Sequence, residues 1–128
     1  MVESQGFAIH LKRVYETPEP ADGTRVLVER LWPRGVSKEQ ARIDLWLKDV
    51  SPSPALRTWY AHDVSKFPEF SERYQDELRR SPAREALSQL AEMARNGPVT
   101  LVFAAKDPQI SSAMIVLRTL QSRPAGAE

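Results

Sequence analysis

The apolar positions of this chain switch between two periods, and the switches mark its elements. Residues 7–15 (FAIHLKRVY) alternate in part and are rich in β-branched and aromatic side chains, which predicts a first strand. An acidic, proline-bearing loop follows over residues 16–23 and closes on Asp22-Gly23. Residues 24–31 (TRVLVERL) predict a second strand, with Val26 and Val28 on one face and Leu27 and the stem of Glu29 on the other. Ser37, with Gln40 three residues on, is a capping-box pattern for a short helix ending near Ala41. Residues 43–47 carry apolar side chains at mixed spacing, Trp46 among them.

The SPSP run at residues 51–54 breaks the chain. A short helix is predicted over residues 54–60, with Leu56, Trp59 and Tyr60 on one side. Asp63 is placed to cap the next helix, whose first turn tolerates Pro68 and whose stripe is Phe67, Phe70, Tyr74 and Leu78. Ser81-Pro82 reads as an N-cap followed by a first helical proline, ahead of the stripe Leu87, Leu90, Ala91 and Ala94. Asn96-Gly97-Pro98 stops that helix. Residues 99–105 (VTLVFAA) are almost continuously apolar, as in a strand buried on both faces. Asp107-Pro108 is expected to start a last helix with the stripe Ile110, Met114, Leu117 and Leu120. Residues 1–5 and 122–128 read as loose ends. Helix, buried strand, helix implies an α/β fold: a small, mostly parallel sheet flanked by helices in a single layered domain, ordered over about residues 7–120.

Composition narrows the class. A chain of 128 residues suits one domain with one core. Its 18 basic and 17 acidic residues leave a net charge of +1, which disfavours a protein governed by polyanion binding. There is no cysteine, so disulfides, thiolate metal sites and a cysteine nucleophile are excluded; with two histidines, no metal is expected. No phosphate loop, GxGxxG or GxSxG motif occurs, and no cofactor is specified. No apolar run reaches membrane-spanning length and no signal-peptide core is present, so a soluble cytoplasmic protein is expected, with no membrane partner.

The most informative chemistry lies just past the second strand, where Arg30, Trp32, Pro33, Arg34 and Gly35 follow one another. Loops at strand ends are where open α/β sheets place ligands. Guanidinium groups suit carboxylate or phosphate, and the indole offers a stacking wall. The structural alternative makes Trp32 a core plug and pairs the arginines with Glu29, Asp44 or Asp49. Lys106 and Asp107 follow the buried strand; if the two strands are parallel neighbours, both clusters share one sheet edge. Asp107 serves first as a helix cap. A third group is Trp46, Lys48 and Asp49 with Trp59, Tyr60, His62 and Asp63, in which His62 is the candidate proton carrier. His10 lies inside a strand and reads as structural.

RVLVERLWPRG, WLKDVSPS, LRTWYAHD, the aromatic and charged run from Phe70 to Leu78, and PVTLVFAAKD occur in this order. Together they resemble the YeaO-like branch of the domain-of-unknown-function family numbered 488, over nearly the whole chain. The resemblance implies a small bacterial or archaeal cytoplasmic α/β protein and supplies no activity. Its polar pattern falls on Arg30, Trp32, Arg34, Lys48, His62, Lys106 and Asp107. The chain has Glu29 where that family usually has Asp. It has Pro108-Gln109-Ile110-Ser111-Ser112 where the family tends to carry a His-Asn-rich turn.

The leading expectation is a small anionic ligand, phosphate- or nucleotide-like, bound by Arg30, Trp32, Arg34, Lys48, Trp59, Lys106 and Asp107. A nucleic-acid module would use the same groups on an open groove. A ligand-free interaction protein would have its arginines fully paired and no pocket. Nothing in the pattern specifies a reaction or an oligomer.

Overall fold

The computed structural model describes residues 8–122. Four parallel strands form one sheet: β1 (Ile9–Arg13), β2 (Thr24–Leu27), β3 (Leu45–Trp46) and β4 (Val99–Phe103), in the order β1-β4-β2-β3. Among the described residues the helices are α1 (Lys38–Ala41), α2 (Pro54–Tyr60), α3 (Phe67–Leu78), α4 (Ala83–Asn96) and α5 (Ser112–Gln121). The α/β fold expected from the sequence is therefore present. Expectations for residues 1–7 and 123–128 lie outside the described residues.

β4 is the centre of the sheet. All five of its residues are buried, as its unbroken apolar run requires of a strand covered on both faces. Register explains the alternation in β2. Val26 and Val28 join the larger core with Phe70, Tyr74, Leu78, Leu87 and Leu90, while Leu27 joins Val102, Val14 and Ala41 on the other face. The first face carries α2, α3, α4 and α5. The second is covered more thinly, by Ala41 of α1 and by Trp32, Val36, Ile43 and Trp46. Tyr74 is buried and satisfies its hydroxyl by donating to the Val50 carbonyl.

Several elements differ from their sequence patterns. Residues 24–31 do not all pair: ladder pairing stops at Leu27, with one more bond from Val28 N to Val102 O at 3.0 Å. Beyond it, the Glu29 carboxylate takes the Ala104 N–H, and the Glu29 carbonyl accepts from the Trp46 indole. Side chains thus satisfy groups a longer ladder would have used, and the chain is free to leave the sheet. Leu45–Trp46 form a short edge strand against Val26 and Leu27 that mixed spacing conceals. The last helix begins at Ser112, not at Asp107. Asp107 caps only the 3-10 turn Pro108–Ile110, and Ser111 caps α5 through Met114 N at 3.1 Å. The buried face accordingly becomes Ala113, Ile115, Val116 and Leu120; Met114 and Leu117 of the expected stripe are only partly buried. The cause is that α5 packs on β1, β4, α3 and α4 together, which buries a broad face. At α4 the N-cap is Pro82 and not Ser81, whose hydroxyl donates to Glu85.

A buried ionic cluster ties the start of β2 to its neighbours. Arg25 is 3% exposed; it pairs with Asp22 at 2.7 Å and donates to the Ala41 carbonyl that ends α1. Asp22 also pairs with Lys12 at 3.0 Å and accepts from Glu19 N. Burial pushes the Asp22 carboxyl up, but the Glu19 N–H, the Lys12 ammonium and the Arg25 guanidinium outweigh it and hold it below the usual carboxylate range. Gly23 completes the corner: at φ +65° it brings the chain so close to Pro98 that an added Cβ would sit 2.2 Å from its carbonyl oxygen.

Two outcomes are expected. Leu90, with no exposed surface, lies at the middle of the α4 stripe. Leu90→Ala should cost about 2–5 kcal/mol by denaturant unfolding, and a change within surface scatter would mean that the helix face is not packed as described. Because the folded pKa of Asp22 is depressed, its contribution is present above the ordinary value of 3.8 and lost as pH falls through the folded value. Asp22→Asn should therefore be destabilised near neutrality and converge on the parent in acid. A constant gap between the two curves would contradict this.

Candidate functional site

With all strands parallel, every carboxyl end points to one edge of the sheet. The loops leaving that edge enclose a cleft of about 790 Å3. Its walls come from Tyr15 after β1, from Glu29 to Arg34 after β2, from Ser51 and Pro52 after β3, and from Ala104 to Asp107 with Ile110 to Ser112 after β4. The end of α2 and its exit loop add Arg57, Tyr60, His62 and Val64. This is where an open α/β sheet places its ligands.

The tryptophan–arginine loop is held from several sides. Arg30 Nε donates to the Pro52 carbonyl and Nη2 to the Ser51 carbonyl, each at 3.2 Å. Neutral carbonyls fix this guanidinium without cancelling its charge. Trp32 donates its indole N–H to Val36 O at 2.6 Å and meets Trp46 edge-on at 5.4 Å. Tyr15 donates to the Arg34 carbonyl at 3.2 Å, and Gly35 turns the loop at φ +74°. Trp32 thus both packs and lines the cleft, so the two readings of this residue are not exclusive.

The opposite wall is built on β4. Ala104 gives its N–H to Glu29 Oε2 at 2.8 Å, while its carbonyl and that of Ala105 accept from the Arg13 guanidinium at 3.2 and 2.8 Å. The backbone leading into Lys106 is therefore held from both sides. Lys106 and Asp107 are exposed, and Asp107 accepts from Gln109 N in its capping role. At the end of α2, Ala61 and His62 are consecutive left-handed residues, at φ +48° and +60°. Such positions cost free energy in non-glycine residues and hold only where the surroundings fix them. Here the turn sets His62 on the cleft wall.

Arg30, Trp32, Arg34, His62, Lys106 and Asp107 share the cleft lining. Lys48 and Trp59 lie outside it: Lys48 sits 4.2 Å over the Trp46 ring, and Trp59 is flanked by Lys66 and Arg73 at 5.0 and 4.3 Å. None of Arg30, Arg34, Arg57 and Lys106 forms an ion pair among the described residues. His10 is exposed in β1, away from the cleft lining.

Sequence reasoning missed two contributors. Glu29 looked like an arginine partner; instead it caps β4 and lines the cleft. Burial pushes its carboxyl above the usual range, against the pull of the Ala104 N–H and the nearby Arg57 and His62 charges. Arg57 was hidden in a short helix, where nothing in its spacing ties it to the cleft.

An α/β protein with a cationic, partly apolar cleft at the carboxyl edge of its sheet is the class that fold and site define. The model of the family described as "Inactive DUF488-N3 subclade" matches residues 8–127, and the chain belongs to that family. It is 42% identical over 115 residues to Uncharacterized protein Rv3073c of Mycobacterium tuberculosis, covering 90% of this chain and 95% of that one. To Uncharacterized protein YeaO of Escherichia coli it is 37% identical over 114 residues, covering 89% and 97%. No solved structure gives a significant match.

The raised Glu29 pKa has a consequence for stability. Between the ordinary value of 4.5 and the folded value the folded chain keeps a proton that the unfolded chain has released, so this contribution is full below 4.5 and is lost as pH rises through the folded value. Glu29→Gln should flatten the weakly acidic part of the stability profile measured by denaturation. Parallel profiles for parent and variant would place the titration elsewhere.

Proposed function

We propose that the cleft binds a small ligand through a phosphate-like anion, held by Arg30, Arg34 and Lys106. The observation that carries this reading is the set of cations without ion-pair partners around one cavity. Like charges repel, and a fold that gathers them without carboxylate partners leaves room for an anion to complete the site. The amino-terminal turn of α5 adds Ser111 and Ser112 to the same wall, so the helix dipole favours negative charge there.

The reading is recognition without turnover. The family model that matches this chain is described as an inactive subclade, and the turn at residues 108–112 offers serines where the resembling sequences tend to carry His and Asn. Ser111 is committed: it accepts from Met114 N and donates to the Pro108 carbonyl. No helix among the described residues is long and apolar enough to cross a membrane; a cytoplasmic location is part of the proposal. A nucleic-acid backbone is the weaker ligand, because a chain of net charge +1 exerts little long-range pull on a polyanion.

The test is a thermal-shift titration with inorganic phosphate, sugar phosphates and nucleotides, repeated on Arg34→Ala. A ligand at 100 times its dissociation constant should stabilise the parent by about 2.7 kcal/mol. Arg34 is exposed and forms no ion pair among the described residues, so the unliganded variant should melt within surface scatter, about 0.5 kcal/mol. Losing one charge-assisted contact should weaken binding by about 1.5–3 kcal/mol, or ten- to a hundredfold. A variant that lost stability and kept its affinity would end the binding role of Arg34.

A further inference from the structure

The cations account for one end of a ligand; two other features of the cleft describe the rest of it. The first is Glu29. One of its oxygens accepts the Ala104 N–H, and the other receives no hydrogen bond among the described residues. Arg57 and His62 act on it electrostatically but make no ion pair with it. A half-buried carboxylate oxygen without a donor favours a ligand that brings N–H groups. The second feature is the lip. Tyr15, Leu31 and Val64 are the large apolar side chains that stand exposed among the described residues, at 51%, 64% and 60%. All three line this cleft. Inorganic phosphate or a sugar phosphate would leave them in water, whereas a flat heterocycle would cover them.

Resting on the anion-binding reading above, we propose that the ligand is a guanine mononucleotide, its phosphate among Arg30, Arg34 and Lys106 and the N–H edge of its base at Glu29. Guanine presents adjacent donors at N1 and N2, which complement a carboxylate. The corresponding edge of adenine has one donor beside an acceptor, and that acceptor would face a negative oxygen. The volume of about 790 Å3 lies in the range of small-ligand sites.

Calorimetric titration of the full chain with GMP, AMP and ribose 5-phosphate tests this. GMP should bind about tenfold or more tightly than either of the others. In Glu29→Gln the amide oxygen can keep the Ala104 N–H while the amide NH2 turns to the cleft, replacing an acceptor by a donor. That variant should lose the preference for GMP over AMP and keep its affinity for ribose 5-phosphate, which also reports that the site is folded. Leu31→Ser, at an exposed position, should weaken GMP and leave ribose 5-phosphate unchanged. Equal affinities for GMP and AMP, or a preference that survives in Glu29→Gln, would overturn the guanine assignment and leave the anion site standing. Binding of a short single-stranded oligonucleotide without binding of GMP would overturn it in favour of nucleic acid. Failure of all the phosphate compounds to bind would remove both readings.

Discussion

The site depends on how the central strand ends. Each residue of β4 up to Val102 is paired on both sides, in β1 and β2, and Phe103 is paired with Arg13 of β1 alone. One step further the neighbouring strands diverge, and Ala104 and Ala105 would carry orphaned polar groups into a partly buried region. Two side chains prevent this: Glu29, from the β2 side, accepts the Ala104 N–H, and Arg13, from the β1 side, donates to both carbonyls. The sheet can therefore open at its carboxyl edge without unsatisfied backbone. The same two bridges aim the segment carrying Lys106 and fix the loop carrying Arg30 to Arg34 opposite it.

Charge is divided between the two ends of the sheet. Toward the start of β2, Arg25 and Lys12 are spent on Asp22, and the cluster joins the strand to α1 and to the β1–β2 loop. At the carboxyl edge the arginines are held by neutral carbonyls or left in water, and burial holds the Glu29 carboxyl in the same cleft above the usual range. A near-neutral chain thus contains one end where cations serve the fold and another where they remain available.

The elements with simple periods were legible in the sequence. The continuous apolar run of β4 and the stripes of α3 and α4 each state one environment, and the structure buries them accordingly. The apolar runs and the helices around β4 implied a mostly parallel sheet containing β2 and β4; that the two are direct neighbours is a finding of the structure. What escaped were features set by side chains far away in sequence. The early end of β2 depends on Glu29 meeting Ala104, 75 residues on, and β3 is too short to show a period. The start of α5 was misjudged because Asp107-Pro108 and Ser111 are both competent caps; only packing against four elements decides which one begins the helix. At the cleft, Arg30, Trp32, Arg34 and Lys106 were visible because polar loops after buried strands have few structural reasons to be so basic. Arg57 and Val64 were not, since their place on the cleft wall comes from where α2 ends in space.

The central claim is that the carboxyl edge of the sheet, and not basic surface in general, receives an anion. Amide and side-chain NMR shifts followed during titration with inorganic pyrophosphate test it most directly. The account predicts saturable changes at Arg30, Arg34, Lys106 and the first turn of α5, with Lys12, Asp22 and Arg25 unmoved. Changes scattered over the exposed arginines of α3 and α4, or none at the cleft, would contradict it.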